Sequence, residues 1–229
     1  MREIKYGKIS AIEIVLIVTC LLLDSMIEYF NLGAYRQWVY LLFFVLELLY
    51  LWVLYHLISR LHAGSKAMAV FALLVMLFVA AGTFVATNPF VQLAINKTQW
   101  LILVHTFFCA LQMYVISILI IEMYKEKQNT SEIVWSSLVT FFMIPIAWTS
   151  LFEIINLARP GATGIHAENG FQSYSETLYY SISVFCTSGN FDASAYRIVR
   201  NISLIYRVWG VLYLVFLIGR AISISGSKK

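Results

Sequence analysis

The chain has 229 residues, of which 61% are hydrophobic and 12% charged, with a net charge of +4 and a mean hydropathy of +0.80. A soluble domain carries about 25% charged residues, so apolar surface on this scale needs lipid to cover it. Basic residues sit between apolar runs rather than in a stripe with interleaved aromatics, which excludes a nucleic-acid partner.

The first apolar run begins at Ile9, after Arg2, Lys5 and Lys8. It resembles a signal peptide, but it continues past Leu23 with no small-residue cleavage site, so it reads as an uncleaved first membrane helix. A spanning helix needs about 20 mostly apolar residues, and six segments meet this: 9–32, 37–60, 67–87, 99–124, 132–158 and 195–223. Turn chemistry separates them at Asn31-Leu32-Gly33, His62 to Ser65, Asn88-Pro89 and Lys127 to Thr130. A seventh apolar stretch, 174–186, is too short to span and has the length of a re-entrant half-helix. The expected fold class is therefore an all-α membrane protein with six transmembrane helices plus one re-entrant pore half-helix.

Basic residues orient these spans. With the N-terminus inside, ten lie on the inner side (Arg2, Lys5, Lys8, Arg60, Lys66, Lys125, Lys127, Arg220, Lys228, Lys229) and five on the outer (Arg36, Lys97, Arg159, Arg197, Arg200). Both termini are expected in the cytoplasm of a multi-pass protein of the plasma membrane, or of the inner membrane if the cell is bacterial. The polar loop near 126–131 divides the chain into a four-helix region, 1–125, and a second unit, 132–225.

In that second unit a helix, a half-helix, a glycine-bearing loop and a long helix follow one another. Non-helical backbone at membrane depth is tolerated only where protein buries it or water lines it, and carbonyls in such a loop can replace a cation's hydration shell. The stretch Tyr179 to Asp192, with Cys186-Thr187-Ser188-Gly189-Asn190-Phe191-Asp192 at its end, resembles the pore helix and filter of the potassium-channel family, and Gly210 to Ile222 is similar to the inner helix of its bacterial members. The resemblance covers residues 131–225. It implies an outer helix at 132–158, a pore helix at 174–186, a filter at 187–191 and an inner helix at 195–223. It also implies a homotetramer, because four half-helices must converge to enclose a filter, and monovalent cations, potassium or sodium, as permeant ions with no other cofactor.

The filter departs from the family pattern Thr-Val-Gly-Tyr-Gly-Asp, because Asn190 replaces Tyr and Phe191 replaces the second Gly. A bulky residue resists the positive φ that glycine supplies there, so altered selectivity is expected. Thr187, Ser188 and Gly189 would line the narrow part, Asn190 and Phe191 its mouth, and Cys186 and Asp192 would support it. Ser203, Arg207 and Gly210 would set a cavity or gate. Gly210 reads equally as a hinge or as a close-packing glycine. Arg207 falls near the bilayer midplane, where a charge is costly and is paired or functional. It either lines the cavity or meets an acid among Asp24, Glu28, Glu47 and Glu153.

The segment 99–124 carries no arginine, so arginine-based voltage sensing is not expected. Glu13 and Glu122 fall near cytoplasmic ends and are expected to be solvated. His56 and His105 on apolar helices are expected to be ordinary buried or interfacial residues. Cys20, Cys109 and Cys186 lie within apolar segments without CxxC spacing and are expected to be reduced thiols. No catalytic constellation or metal motif is visible, so an enzyme is not expected. The functional expectation is a cation-conducting channel of altered selectivity. The alternatives are a non-conducting channel-like scaffold that binds a partner protein on the cytoplasmic side, and a secondary transporter using Asp24, Glu28 and Glu47.

Overall fold

A computed structural model of the chain describes residues 6–30, 36–61, 66–87, 97–123, 130–165, 171–188 and 195–226. Among the described residues the protein is all-helical, with seven α-helices and no strand. They are α1 (Tyr6–Tyr29), α2 (Arg36–Leu61), α3 (Lys66–Thr87), α4 (Lys97–Met123), α5 (Thr130–Ala158), α6 (Phe171–Phe185) and α7 (Arg197–Gly226). Each apolar segment read from the sequence forms a helix, with ends within three residues of the expected ones.

Among the described residues four helices contain a stretch long and apolar enough to cross a membrane: Tyr6–Leu23, Lys97–Met123, Ile133–Ala158 and Arg197–Leu217. Shorter apolar stretches run over Phe44–Ser59 in α2 and Val70–Phe84 in α3. These four are compatible with a multi-pass membrane protein. Helix α6 has 15 residues, about 22 Å at 1.5 Å per residue, which is less than the hydrocarbon thickness of about 30 Å.

Helix α5 is the hub. It packs on α4, α6, α1 and α7, and 67% of its apolar stretch is buried, against 28% in α7. Residues 143–150 form an unbroken buried run that includes Pro145. Proline lacks the N–H that would bond back to the Phe141 carbonyl. Its own carbonyl accepts hydroxyls from Thr149, one turn on, and from Ser181 of α6, each at 2.8 Å. The polar backbone of α5 thus holds α6 directly.

The N-terminal helices surround the other side of α5. Helix α1 packs on α2, α5 and α6, and α3 joins α2 to α4. Gly82 of α3 faces Val104 of α4 so closely that a Cβ there would overlap the valine side chain. Helices without a large hydrophobic drive between them associate by such close backbone approach.

Candidate functional site

The unit formed by α5, α6 and α7 holds the residues that the sequence singles out. Among the described helices α6 alone has a strongly two-faced sequence, YSETLYYSIS, in which serines and tyrosines recur among apolar residues. Its polar side chains anchor it on several sides. Ser173 donates to the Glu153 carboxylate of α5 at 2.9 Å, and Ser175 donates to the Cys20 carbonyl of α1 at 2.8 Å. Because Ser181 gives its proton to Pro145, the Tyr206 hydroxyl 3.2 Å away is the donor to Ser181. Tyr180 and Ser203 share a hydrogen bond at 2.8 Å. Buried polar groups in a membrane interior need internal partners, and here they join α6 to α1, α5 and α7.

Helix α7 meets α5 and α6 through one narrow face. Val199, Ser203, Tyr206, Gly210 and Tyr213 are buried, at steps of four, three, four and three, the repeat of a helix seam. The Tyr206 ring stacks on Trp148 of α5 at 4.2 Å and on Phe185 of α6 at 5.6 Å. The Tyr213 hydroxyl donates to the Ser137 carbonyl at 2.7 Å. At the opposite end, the Tyr196 N–H donates to the Ala162 carbonyl at 3.0 Å, and the Arg159 guanidinium lies 4.2 Å over the Tyr196 ring. Away from this seam α7 exposes several large apolar side chains, among them Ile198, Ile205, Val208, Leu212 and Val215.

The C-terminal end of α6 has a defined turn. The Thr187 N–H donates to the Val184 carbonyl at 3.1 Å, the Ser188 N–H to the Ser183 carbonyl at 3.0 Å, and Thr187 has φ 57°. This is the Schellman pattern, in which the left-handed position ordinarily belongs to glycine. A β-branched residue there is strained by about 1–2 kcal/mol. Strain of this kind gathers at functional sites.

The structure brings some candidates together and separates others. Cys186, Thr187 and Ser188 are exposed at the end of α6. Gly189, Asn190, Phe191 and Asp192 lie outside the described residues. Ser203 and Gly210 are buried against α6, where a Cβ on Gly210 would stand 2.8 Å from the Phe185 ring and 3.0 Å from its carbonyl oxygen. Of the two readings left open for Gly210, close packing therefore has a direct structural basis. Arg207 is half-buried between the seam and the exposed face. Glu153 is buried and bonded to Ser173. Glu47 is half-buried on α2 and within hydrogen-bonding reach of Thr83 of α3. Asp24 and Glu28 lie on α1, and their side chains fall outside those described.

Sequence reasoning did not single out Tyr180, Tyr206, Tyr213 or Trp148, which fasten α7. The alternating three- and four-residue spacing from Val199 to Tyr213 is the pattern that could have found the α7 members. Tyr180 and Trp148 lie on other helices and become partners only in three dimensions. Glu13 is a correction. Its place near the end of α1 pointed to solvation, but its side chain is fully buried, on a helix that packs on α2, α5 and α6.

Among the described residues no group of three or more His, Cys, Asp or Glu side chains could hold a metal ion. No protein-family model, no curated protein and no solved structure matches the chain.

Proposed function

We propose that the protein is a channel subunit with a potassium-channel-like pore, conducting cations with altered selectivity. The observation that carries this reading is the half-length helix α6 between two membrane-length helices, ending in the left-handed Thr187 turn. A helix too short to span, fixed to its neighbours by side-chain hydroxyls, suits a re-entrant element whose terminus must stay at a set depth. In this reading six helices span the membrane, α6 enters it from outside, and both termini face the cytoplasm of a plasma or bacterial inner membrane. Four copies surround one axis, and the exposed apolar face of α7 meets neighbouring copies and lipid. Thr187 and Ser188 line the narrow part with Gly189. Arg207 sits where a shift of α7 would carry it toward or away from the axis.

The test is current across a planar bilayer holding the purified protein, with asymmetric potassium, sodium and chloride. A reversal potential that follows a cation gradient, with current lost in Gly189→Val, supports the channel. Current that follows chloride would assign Arg207 to an anion pathway. A tetrameric, folded protein that stays silent in every salt and at every voltage tested would overturn conduction.

A second reading, a non-conducting scaffold for a partner protein, is favoured by the Thr187 turn itself. The carbonyls of Ser183 and Val184 are occupied by the cap and are not offered to an ion. Partner capture that survives Gly189→Val would support that alternative.

A further inference from the structure

Helices α6 and α7 run side by side in the same direction, and their side chains set the register between them. Tyr180 meets Ser203 at 2.8 Å, Ser181 meets Tyr206 at 3.2 Å, and Phe185 lies against Gly210. These partners are 23, 25 and 25 residues apart in the chain. By the same offset Glu176 of α6 stands level with Arg200 of α7, and Tyr179 stands level with Leu204.

All four side chains are exposed. Tyr179 is 64% exposed and Leu204 55%, and Glu176 and Arg200 are open as well. Glu176 and Tyr179 are three residues apart on α6, and Arg200 and Leu204 are four apart on α7, so each pair shares one face of its helix. Gln172, one turn before Glu176, is exposed on the same face of α6. Among the described residues neither the Glu176 carboxylate nor the Arg200 guanidinium has a side-chain hydrogen bond or an ion pair. A charge on a helix face within a membrane is costly unless it meets a partner. A guanidinium supplies a carboxylate with both the opposite charge and a fork of donors.

In the four-copy arrangement proposed above, on which this inference rests, the copies are related by rotation about the membrane normal. Rotation keeps every residue at its own height, so Glu176 of one copy is level with Arg200 of the next. A ring of this kind is closed by a head-to-tail contact, in which each copy offers one face to one neighbour and a different face to the other. The exposed face of α6 carries the acid and an aromatic ring, and α7 carries the base and an aliphatic side chain at matching heights. We propose that Glu176 of one copy pairs with Arg200 of the adjacent copy, with Tyr179 packed on Leu204 one turn deeper. Each copy then holds one neighbour through its short helix and the other through its long helix.

The test is the mass of the full-length protein in detergent, read by light scattering as it is diluted, for the wild type and the charge reversals Glu176→Arg and Arg200→Glu. Either reversal sets like charges against each other at four contacts, and raises the concentration at which the tetramer half-dissociates by on the order of tenfold. Co-expression of the two single variants restores the tetramer, with both variants in each assembly, because every reversed residue then faces the opposite reversal on its neighbour. A pair formed within one copy could not be rescued in this way. Glu176→Gln and Arg200→Gln, which remove a charge without adding one, carry the test through a smaller shift if a reversal does not fold. A wild-type tetramer that none of these changes weakens, or reversals that co-expression does not rescue, would overturn the inference and leave the four-copy reading standing. A monomeric wild type would overturn both.

Discussion

Gly210 of α7 lies against Phe185 of α6 with no room for a side chain: a Cβ would stand 2.8 Å from Cδ2 of the ring. The last residue of the short helix and the middle of the long one are thus in backbone-level contact. Gly210→Ala is expected to push the helices apart and to cost about 1–3 kcal/mol, the range for overpacking a close contact. A helix-interior alanine is otherwise favoured over glycine by about 1 kcal/mol, so a fall in Tm in detergent measures the contact. A rise would show that α6 and α7 are not in contact there.

Tyr206 supplies both a ring and a hydroxyl to the same junction. Tyr206→Phe keeps the stacking between Trp148 and Phe185 and removes the bond to Ser181. Its expected cost is about 1 kcal/mol. Tyr206→Ala removes the ring as well and should cost about 3–5 kcal/mol. Denaturant or thermal unfolding of the pair separates the two contributions, and near-equal losses would contradict the stacked geometry.

Thr187 occupies a conformation that glycine adopts freely. Thr187→Gly is expected to stabilise the protein by about 1 kcal/mol. Thr187→Ala, which keeps a Cβ, should retain most of the strain. If the stabilised glycine variant also shows altered current, the strained turn is a functional device rather than a tolerated defect.

Glu153 accepts from Ser173 in a buried setting. Glu153→Gln retains an acceptor of nearly the same shape and is expected to change stability by less than about 1 kcal/mol. Glu153→Leu strands the serine hydroxyl and should cost about 1–3 kcal/mol. Circular dichroism during heating distinguishes the two. A Gln variant as unstable as the Leu variant would show that the negative charge, not the acceptor, is needed there.

Much of the secondary structure was legible because lipid imposes a simple rule. Runs such as Ile133 to Ala158 must be helical to satisfy their backbone, and punctuation such as Asn31-Leu32-Gly33 marks where they stop. The shortness of α6 was equally visible, since the apolar stretch 174–186 is too brief to span a bilayer. Burial around each helix was not legible. Glu13 has the sequence context of an interfacial acid, and only the packing of other helices on α1 reveals that it is enclosed. Gly210 supports two readings in one dimension, and the position of Phe185 gives close packing its basis. The hydroxyl of Ser181 could not be assigned, because its acceptor is the Pro145 carbonyl, 36 residues earlier in the chain.

The stack of Trp148 on Tyr206, with Trp209 edge-on at 5.9 Å, gives the molecule an optical reporter of its own. Indole emission depends on what lies against the ring, and here one neighbour belongs to the enclosed α5 and the others to the lightly held α7. A rotation or slide of α7 along its seam would unstack Trp148 and move Trp209 relative to it. With the remaining four of the six tryptophans replaced by phenylalanine, the colour and intensity of the emitted light would follow that motion in real time, without an attached dye.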